Sequence, residues 1–275
     1  MVRSVRVWLG LGLSLLATAA VTLAVSPAQA ASRGYADVAL GDSYSSGVGA
    51  PPYSDPTGCV RSEKAYAPLY AAANNISSFD FAACSGALTT DVLEKQLTGL
   101  GRATRLVTIT IGGNDTGFSN GISACVGGTD ADCDAVVKAS QQFSRTELPP
   151  RLDRTYAAIR ARAPQAKLVV LGYPRFFELT ADCAQAPLSL TRRTALNAAV
   201  DTLDEVIASR ATRARATFVD VRTAFAGHGI CGAEPWLNNL AQSGPFHPNE
   251  AGYRAGYLAA LDRAVPCRPG HGHHN

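Results

Sequence analysis

The sequence predicts an α/β protein built on a doubly wound parallel sheet of five strands in the order 2-1-3-4-5. Three observations lead there. Five short apolar runs recur, at residues 37–40, 79–83, 106–111, 167–171 and 217–221, bounded by glycine or polar residues as buried strands are. Segments of helical period separate them, and this alternation is the signature of parallel strands joined by helical crossovers. Right-handed crossovers are nearly obligatory, and five strands met in this sequence then settle into that order.

The elements follow one another in order. The first strand, 37–40, runs into Gly41-Asp42-Ser43, and a helix is expected over 65–73. The second strand ends at Ala83-Cys84-Ser85-Gly86, followed by a helix over 90–97. The third, 106–111, runs straight into Gly112-Gly113-Asn114-Asp115. Helices are expected over 146–162, 189–213 and 249–262, and Pro164 and Pro187 punctuate the connections. In the longest helix Leu196, Val200, Leu203 and Ile207 repeat at spacings of three and four, which marks the face that covers the sheet. Residues 112–133 and 227–248 show neither period and read as long functional or crosslinked loops.

Arg3 and Arg6, an apolar stretch over 7–25 and Ala28-Gln29-Ala30 ahead of Ala31 have the form of a secretory signal peptide, so a leader over 1–30 is expected. One domain over 31–267 and a flexible His-rich tail over 268–275 complete the organisation. No later apolar run is long enough to span a bilayer. Of 25 basic and 22 acidic residues, removal of Arg3 and Arg6 leaves 23 against 22, a balance that offers nothing to nucleic acid. The arginines at 192, 193, 210, 213, 215 and 222 read as a solvated helix face. A soluble, extracellular monomer is expected, with no stable membrane insertion.

Export makes disulfides the default for the seven cysteines. No Cys-x-x-Cys pair is present and the histidines are not spaced with the cysteines as a zinc site needs, so no metal is expected. Many pairings are possible; pairing of sequence neighbours, Cys59 with Cys84, Cys125 with Cys133 and Cys183 with Cys231, closes each segment locally and leaves Cys267 over. Such loops would each contribute roughly 2.5 to 4 kcal/mol by chain entropy.

Three strand ends carry candidate chemistry. Ser43 sits where the first strand leaves the carboxyl edge of the sheet, the edge at which open α/β sheets bind ligands. A serine nucleophile needs a base from another loop, and His247, in Gly244-Pro245-Phe246-His247-Pro248-Asn249 ahead of the last helix, is held as a base should be by Pro248 and an Asn249 cap. His228, beside a cysteine, reads as structural. Asn114 would project its amide, and Gly86 its N–H, toward a developing oxyanion.

Gly41-Asp42-Ser43-Tyr44-Ser45, Gly86, Gly112-Gly113-Asn114-Asp115 and His247 resemble the four blocks of the SGNH (GDSL) hydrolases, in order and across essentially the whole mature chain. The cysteines, Gly172-Tyr173-Pro174 and the Tyr-Ser-Ser-Gly after the nucleophile resemble the secreted actinobacterial esterase and lipase branch. The resemblance implies a three-layer flavodoxin-like fold, carboxylic ester hydrolysis without a cofactor, Ser43 as nucleophile and His247 as base. It also implies an oxyanion hole of the Ser43 and Gly86 N–H groups and the Asn114 amide. Most relatives carry an aspartate three residues before the histidine, where this chain has Gly244. A main-chain carbonyl of Gly244 or Pro245 is then implied to orient His247, leaving a Ser43–His247 dyad. Asp42 and Asp115 read as structural, holding the nucleophile and Asn114 turns. With no long apolar lid helix, an open cleft for lipid or small-molecule esters is expected. Phospholipase or carbohydrate acetylesterase activity is the alternative of the same fold, and a binding protein without turnover the non-enzymatic one.

Overall fold

The five apolar runs become five parallel strands in a computed structural model that describes Met1 and residues 35–266. The rest of the expected leader, the His-rich tail and Cys267 lie outside the described residues. The strands are β1 Asp37–Gly41, β2 Phe79–Phe81, β3 Leu106–Thr110, β4 Lys167–Leu171 and β5 Thr217–Val219. Their order is β2-β1-β3-β4-β5, the expected 2-1-3-4-5. β1 pairs with β3 from Asp37↔Leu106 to Gly41↔Thr110, so the two loops that follow leave the sheet side by side. Every residue of β1 and β3 is buried, whereas β2 at one edge is half-buried throughout. That gradient explains the continuous apolar runs: strands covered on both faces do not alternate.

Two helical layers cover the sheet. On one face α2 (Tyr66–Ala73) packs with the carboxyl-terminal segment, a π-helical turn at Gly252–Leu258 continued by α8 (Ala259–Ala264). On the other lie α5 (Asp130–Thr146), α6 (Leu148–Arg162) and α7 (Leu190–Arg213), packed side by side. The predicted face of α7 is the buried one, with Leu196, Val200, Leu203 and Ile207 at 5% exposure or less. Between β1 and α2 there is one short helix, α1 (Ser43–Ser46), and between β2 and β3 another, α3 (Thr89–Asp91), continued as a π-helical turn over Val92–Gln96.

Two expectations need correction. Residues 112–133 are not a structureless loop: they form a 3₁₀ turn at Asn114–Thr116, α4 (Phe118–Gly127) and the start of α5. α5 begins with a capping box, in which Thr129 Oγ1 accepts from Asp132 N and the Asp132 carboxylate accepts from Thr129 N. Its inward face is Cys133, Val137 and Ser144, so only one of three buried positions is a conventional apolar residue.

The arginine cluster is a solvated face only in part: Arg213 and Arg215 are exposed, but Arg193 and Arg222 are not. Arg193 is 1% exposed and donates to the carbonyls of Leu188, Glu178, Thr180 and Ala181. Arg222 is paired with Asp201, Asp204 and Asp220. A buried guanidinium is tolerated where carbonyl oxygens take its protons, and here it gathers the connection between β4 and α7.

Disulfides join Cys59 to Cys84, Cys125 to Cys133 and Cys183 to Cys231. The first ties the nucleophile-side loop to the end of β2, and the second ties α4 to α5. No helix among the described residues is long and apolar enough to cross a membrane.

Candidate active site

Gly41 ends β1 with φ +119, and a Cβ there would meet Ser45 Oγ at 2.6 Å and press into the Thr110 carbonyl oxygen. Only glycine makes this turn so close to the neighbouring strand. Its peptide is clamped on both sides by Gln96, which accepts from Gly41 N at 2.7 Å and donates to Gly41 O at 2.9 Å. Asp42 then caps α1, its Oδ1 accepting from Tyr44 N at 3.0 Å. Ser43 is thereby the first residue of a helix at the carboxyl edge of the sheet. Ser45 Oγ faces the other way, bonded to Tyr66 Oη and to Thr110 N, and pins the turn to β3.

The second and third blocks flank it. Gly86 has φ +78, and the turn around it is held by Ser85 N to Cys59 O and Ala87 N to Cys84 O, both next to a disulfide. Asn114 Nδ2 donates one proton to Ala87 O at 3.1 Å, joining these two turns. Among the described residues neither the Ser43 nor the Gly86 N–H meets a backbone acceptor. Asp115 accepts from Thr89 N and Thr89 Oγ1, capping α3 from across the sheet edge.

The fourth block approaches from the carboxyl-terminal loop. His247 Nε2 lies 2.8 Å from Ser43 Oγ, and Nδ1 lies 3.0 Å from Pro245 O. Of the two candidate carbonyls, Pro245 O lies within hydrogen-bond distance of Nδ1, while Gly244 O accepts from the His247 backbone N–H at 3.2 Å and also favours the charged ring. Gly244 has φ +67, and a Cβ there would lie 2.9 Å from Gly49 N, so the loop packs directly on the chain just past α1. Tyr44 donates to Phe246 O at 2.6 Å, and its ring lies 4.9 Å from the imidazole. Neither Asp42 nor Asp115 reaches the histidine.

Three residues of the assembly were not predicted for the site: Gln96 and Asn238 carried no local signal, and Tyr173 was visible only within the Gly172-Tyr173-Pro174 resemblance. Asn238, 5% exposed, donates to Gly49 O and Ser243 O and staples the histidine loop to the nucleophile loop. Tyr173, from the end of β4, donates to Asp42 Oδ2 at 2.5 Å. His228 sits elsewhere, stacked 3.6 Å from Trp236 with Nδ1 on Glu234 O.

Burial dominates the electrostatics. It pushes the His247 imidazolium down to about 4, against the opposing pull of the Pro245 and Gly244 carbonyls. With no carboxylate beside it the ring stays neutral, Nδ1 protonated toward Pro245 O and Nε2 free to accept from Ser43. The Asp42 carboxyl is pushed up to about 7 by burial, although Tyr173 and Tyr44 N favour its ionised form.

The pair opens onto a cavity of about 570 Å³. One wall is α4, with Phe118, Ile122 and Val126 spaced as one helical face; the other is α7 and its approach, with Phe176, Val200 and Leu203. Among the described residues Asp42 is the only ionisable carboxylate on its lining and no lysine or arginine lines it, so it suits an alkyl chain. α4, ten residues long, forms one wall of this cleft, which the sequence did not reveal. Among the described residues no cluster of histidine, cysteine and carboxylate side chains could hold a metal ion.

A serine hydroxyl hydrogen-bonded to a neutral imidazole is equipped to attack an acyl carbon, and free N–H groups beside it are equipped to receive the negative charge that results. The fold and the site thus have the arrangement of a hydrolase of acyl groups. Residues 39–255 match the GDSL-like lipase/acylhydrolase family, and the chain belongs to this family of carboxylic ester hydrolases. It is 46% identical to Lipase 1 of Streptomyces coelicolor over 259 residues, 91% of this chain and 95% of that one. It is similar in structure to phospholipase A1 from Streptomyces albidoflavus, with a TM-score of 0.81, 46% identity and coverage of 84% of this chain and 99% of the other. The extracellular lipase of Streptomyces rimosus is matched with a TM-score of 0.80 and 46% identity, over 83% of this chain and 99% of that one.

Proposed function

We propose that the protein is a secreted, monomeric lipase or broad esterase that cleaves carboxylic esters through an acyl-enzyme on Ser43. The carrying observation is the 2.8 Å contact of Ser43 Oγ with His247 Nε2 at the mouth of an apolar cavity. His247 takes the Ser43 proton as Oγ attacks the ester carbonyl. The tetrahedral oxyanion is received by the Ser43 and Gly86 N–H groups and the second proton of Asn114 Nδ2. His247 then passes its proton to the leaving alcohol, and water repeats the sequence on the acyl-enzyme. Pro245 O holds the tautomer in the place of a carboxylate. Three disulfides and one relative described as an extracellular lipase support export; removal of residues 1–30, leaving 31–267 as the catalytic domain, is part of the proposal.

The cavity predicts the substrate. For p-nitrophenyl esters, kcat/KM is expected to rise by about fourfold per added methylene, ~0.8 kcal/mol each, until the cavity is filled. Val200→Phe, which narrows it, should move the optimum to shorter acyl chains while leaving the acetyl ester within about twofold. A flat series from acetyl to decanoyl would sink the assignment of this cavity to the acyl chain. A phosphatidylcholine carrying the same chains, run beside it, separates lipase from phospholipase preference.

The pH dependence has a definite sign. The base must be neutral, and burial lowers its pKa, so activity should persist as pH falls through 6.5 and decline only toward about 4. The Asp42 carboxyl, pushed up to about 7, titrates in the same range, so the profile is read in Asp42→Asn as well. An acidic inflection of kcat/KM at or above 6.5 that persists in that variant would contradict a desolvated, carboxylate-free imidazole.

A further inference from the structure

We infer that Tyr173 is a positioning residue whose single hydroxyl locks the nucleophile turn to the oxyanion turn. The inference rests on the roles proposed above for Ser43 and Asn114. Tyr173 Oη donates to Asp42 Oδ2 at 2.5 Å and accepts from Gly113 N at 3.0 Å. Asp42 immediately precedes Ser43, and Gly113 immediately precedes Asn114. One oxygen atom therefore sets the separation of the two groups that must meet the same carbonyl, from opposite sides.

The surroundings are shaped around this tyrosine. A Cβ on Gly113 would lie 3.2 Å from the Tyr173 ring, so the glycine makes room for the phenol. Tyr173 N is held at 2.9 Å by Asp204 Oδ1, a buried carboxylate backed by Arg222 at 3.6 Å. A Cβ on Gly172 would lie 2.6 Å from Asp204 Oδ2, so the preceding glycine lets that carboxylate approach the backbone. The ring is 4% exposed and meets Tyr44 edge-on at 5.0 Å. Burial holds its phenol well above the ordinary tyrosine range, so it remains a donor at any working pH. The Gly172-Tyr173-Pro174 block is then a fifth element of the site, contributed by the strand that supplies none of the reacting groups.

Geometric misplacement by about an ångström costs roughly a hundredfold in rate. Tyr173→Phe is therefore expected to lower kcat for p-nitrophenyl butyrate by roughly tenfold to a hundredfold, with KM within about twofold. The distinguishing readout is a double-mutant cycle with Asn114→Ala. Because the hydroxyl acts through the turn that carries Asn114, the double variant should lose clearly less than the product of the two single losses. Asp42→Asn gives the same test from the other partner: asparagine keeps the cap on α1, but its amide faces the tyrosine proton, and kcat should fall likewise. Being isosteric, it carries the test, assayed at reduced temperature, if Tyr173→Phe does not fold. Near wild-type kcat in either variant overturns the inference, as does a multiplicative cycle. Ser43→Ala, run alongside, separates the cases: turnover surviving in that variant would mean that the underlying nucleophile assignment, and not the positioning role, has failed.

Discussion

Ser43→Ala is expected to lower kcat for an aryl ester by about 10⁶-fold while leaving the unfolding transition unchanged, and His247→Ala to do nearly the same. On the proposed mechanism the two side chains work as one unit, since a serine hydroxyl is a poor nucleophile until a base, here Nε2 at 2.8 Å, accepts its proton. The losses should not add: the double variant ought to be no worse than the poorer single one. What survives is the contribution of binding and of the oxyanion donors. Steady-state kinetics with p-nitrophenyl butyrate, with thermal unfolding of each variant as control, reads this directly. A Ser43→Ala enzyme within tenfold of wild type would show that another group attacks the ester. Folding should be indifferent, because Ser43 Oγ has no protein partner other than His247 among the described residues, whereas its neighbours Asp42 and Ser45 hold the turn.

Gly41→Ala has the second largest expected effect, and it is one of stability. At φ +119 an L-residue is strained, and here the added methyl also meets the Thr110 carbonyl oxygen and Ser45 Oγ. Neither neighbour can yield. Thr110 is locked by the β1–β3 register, and its carbonyl accepts from Asp42 N at 3.0 Å. Ser45 Oγ holds Thr110 N. A loss of roughly 4 kcal/mol or more is expected, which for a chain of this size lowers Tm by on the order of 10 °C. Urea or thermal unfolding measures it. A variant within about 1 kcal/mol of wild type would show that the turn can relax, and that the glycine is not required by the close approach of β1 to β3.

The legible parts of the molecule are those where physics acts locally. Strands covered on both faces must be short, continuous and apolar, and β1, β3 and β4 stand out for that reason. The groups proposed for the site sit directly at strand ends, so Ser43, Gly86 and Asn114 are visible as soon as the strands are, and His247 is marked by the proline and asparagine that precede the last helix. α5 was hidden because its buried face is a disulfide cysteine, a valine and a serine, which no apolar period reveals; the Thr129 to Asp132 capping box was the available signal. Arg193 misled for the opposite reason, since a charge in a basic stretch looks solvated until four distant carbonyls converge on it. Gln96 and Asn238 act across 55 and 189 residues, on Gly41 and Gly49, and an amide that clamps a remote peptide leaves no trace in its own neighbourhood.

The absent aspartate shapes the chemistry of the site. A carbonyl can hold the imidazole tautomer but stabilises an imidazolium less than a carboxylate does. Part of that deficit falls to the enclosure: a half-buried, desolvated ring stays a neutral acceptor well into acid, where a carboxylate-paired histidine would already be protonated.

The central claim is that Ser43 is the nucleophile, activated by His247. Treating the folded protein with an aryl organophosphate and mapping the adduct by mass spectrometry tests it most directly. Complete inactivation with one adduct per chain, on Ser43, and greatly slowed labelling in His247→Ala, is the predicted result. Complete inactivation with the adduct on any other residue, or labelling of Ser43 that leaves turnover intact, would contradict it.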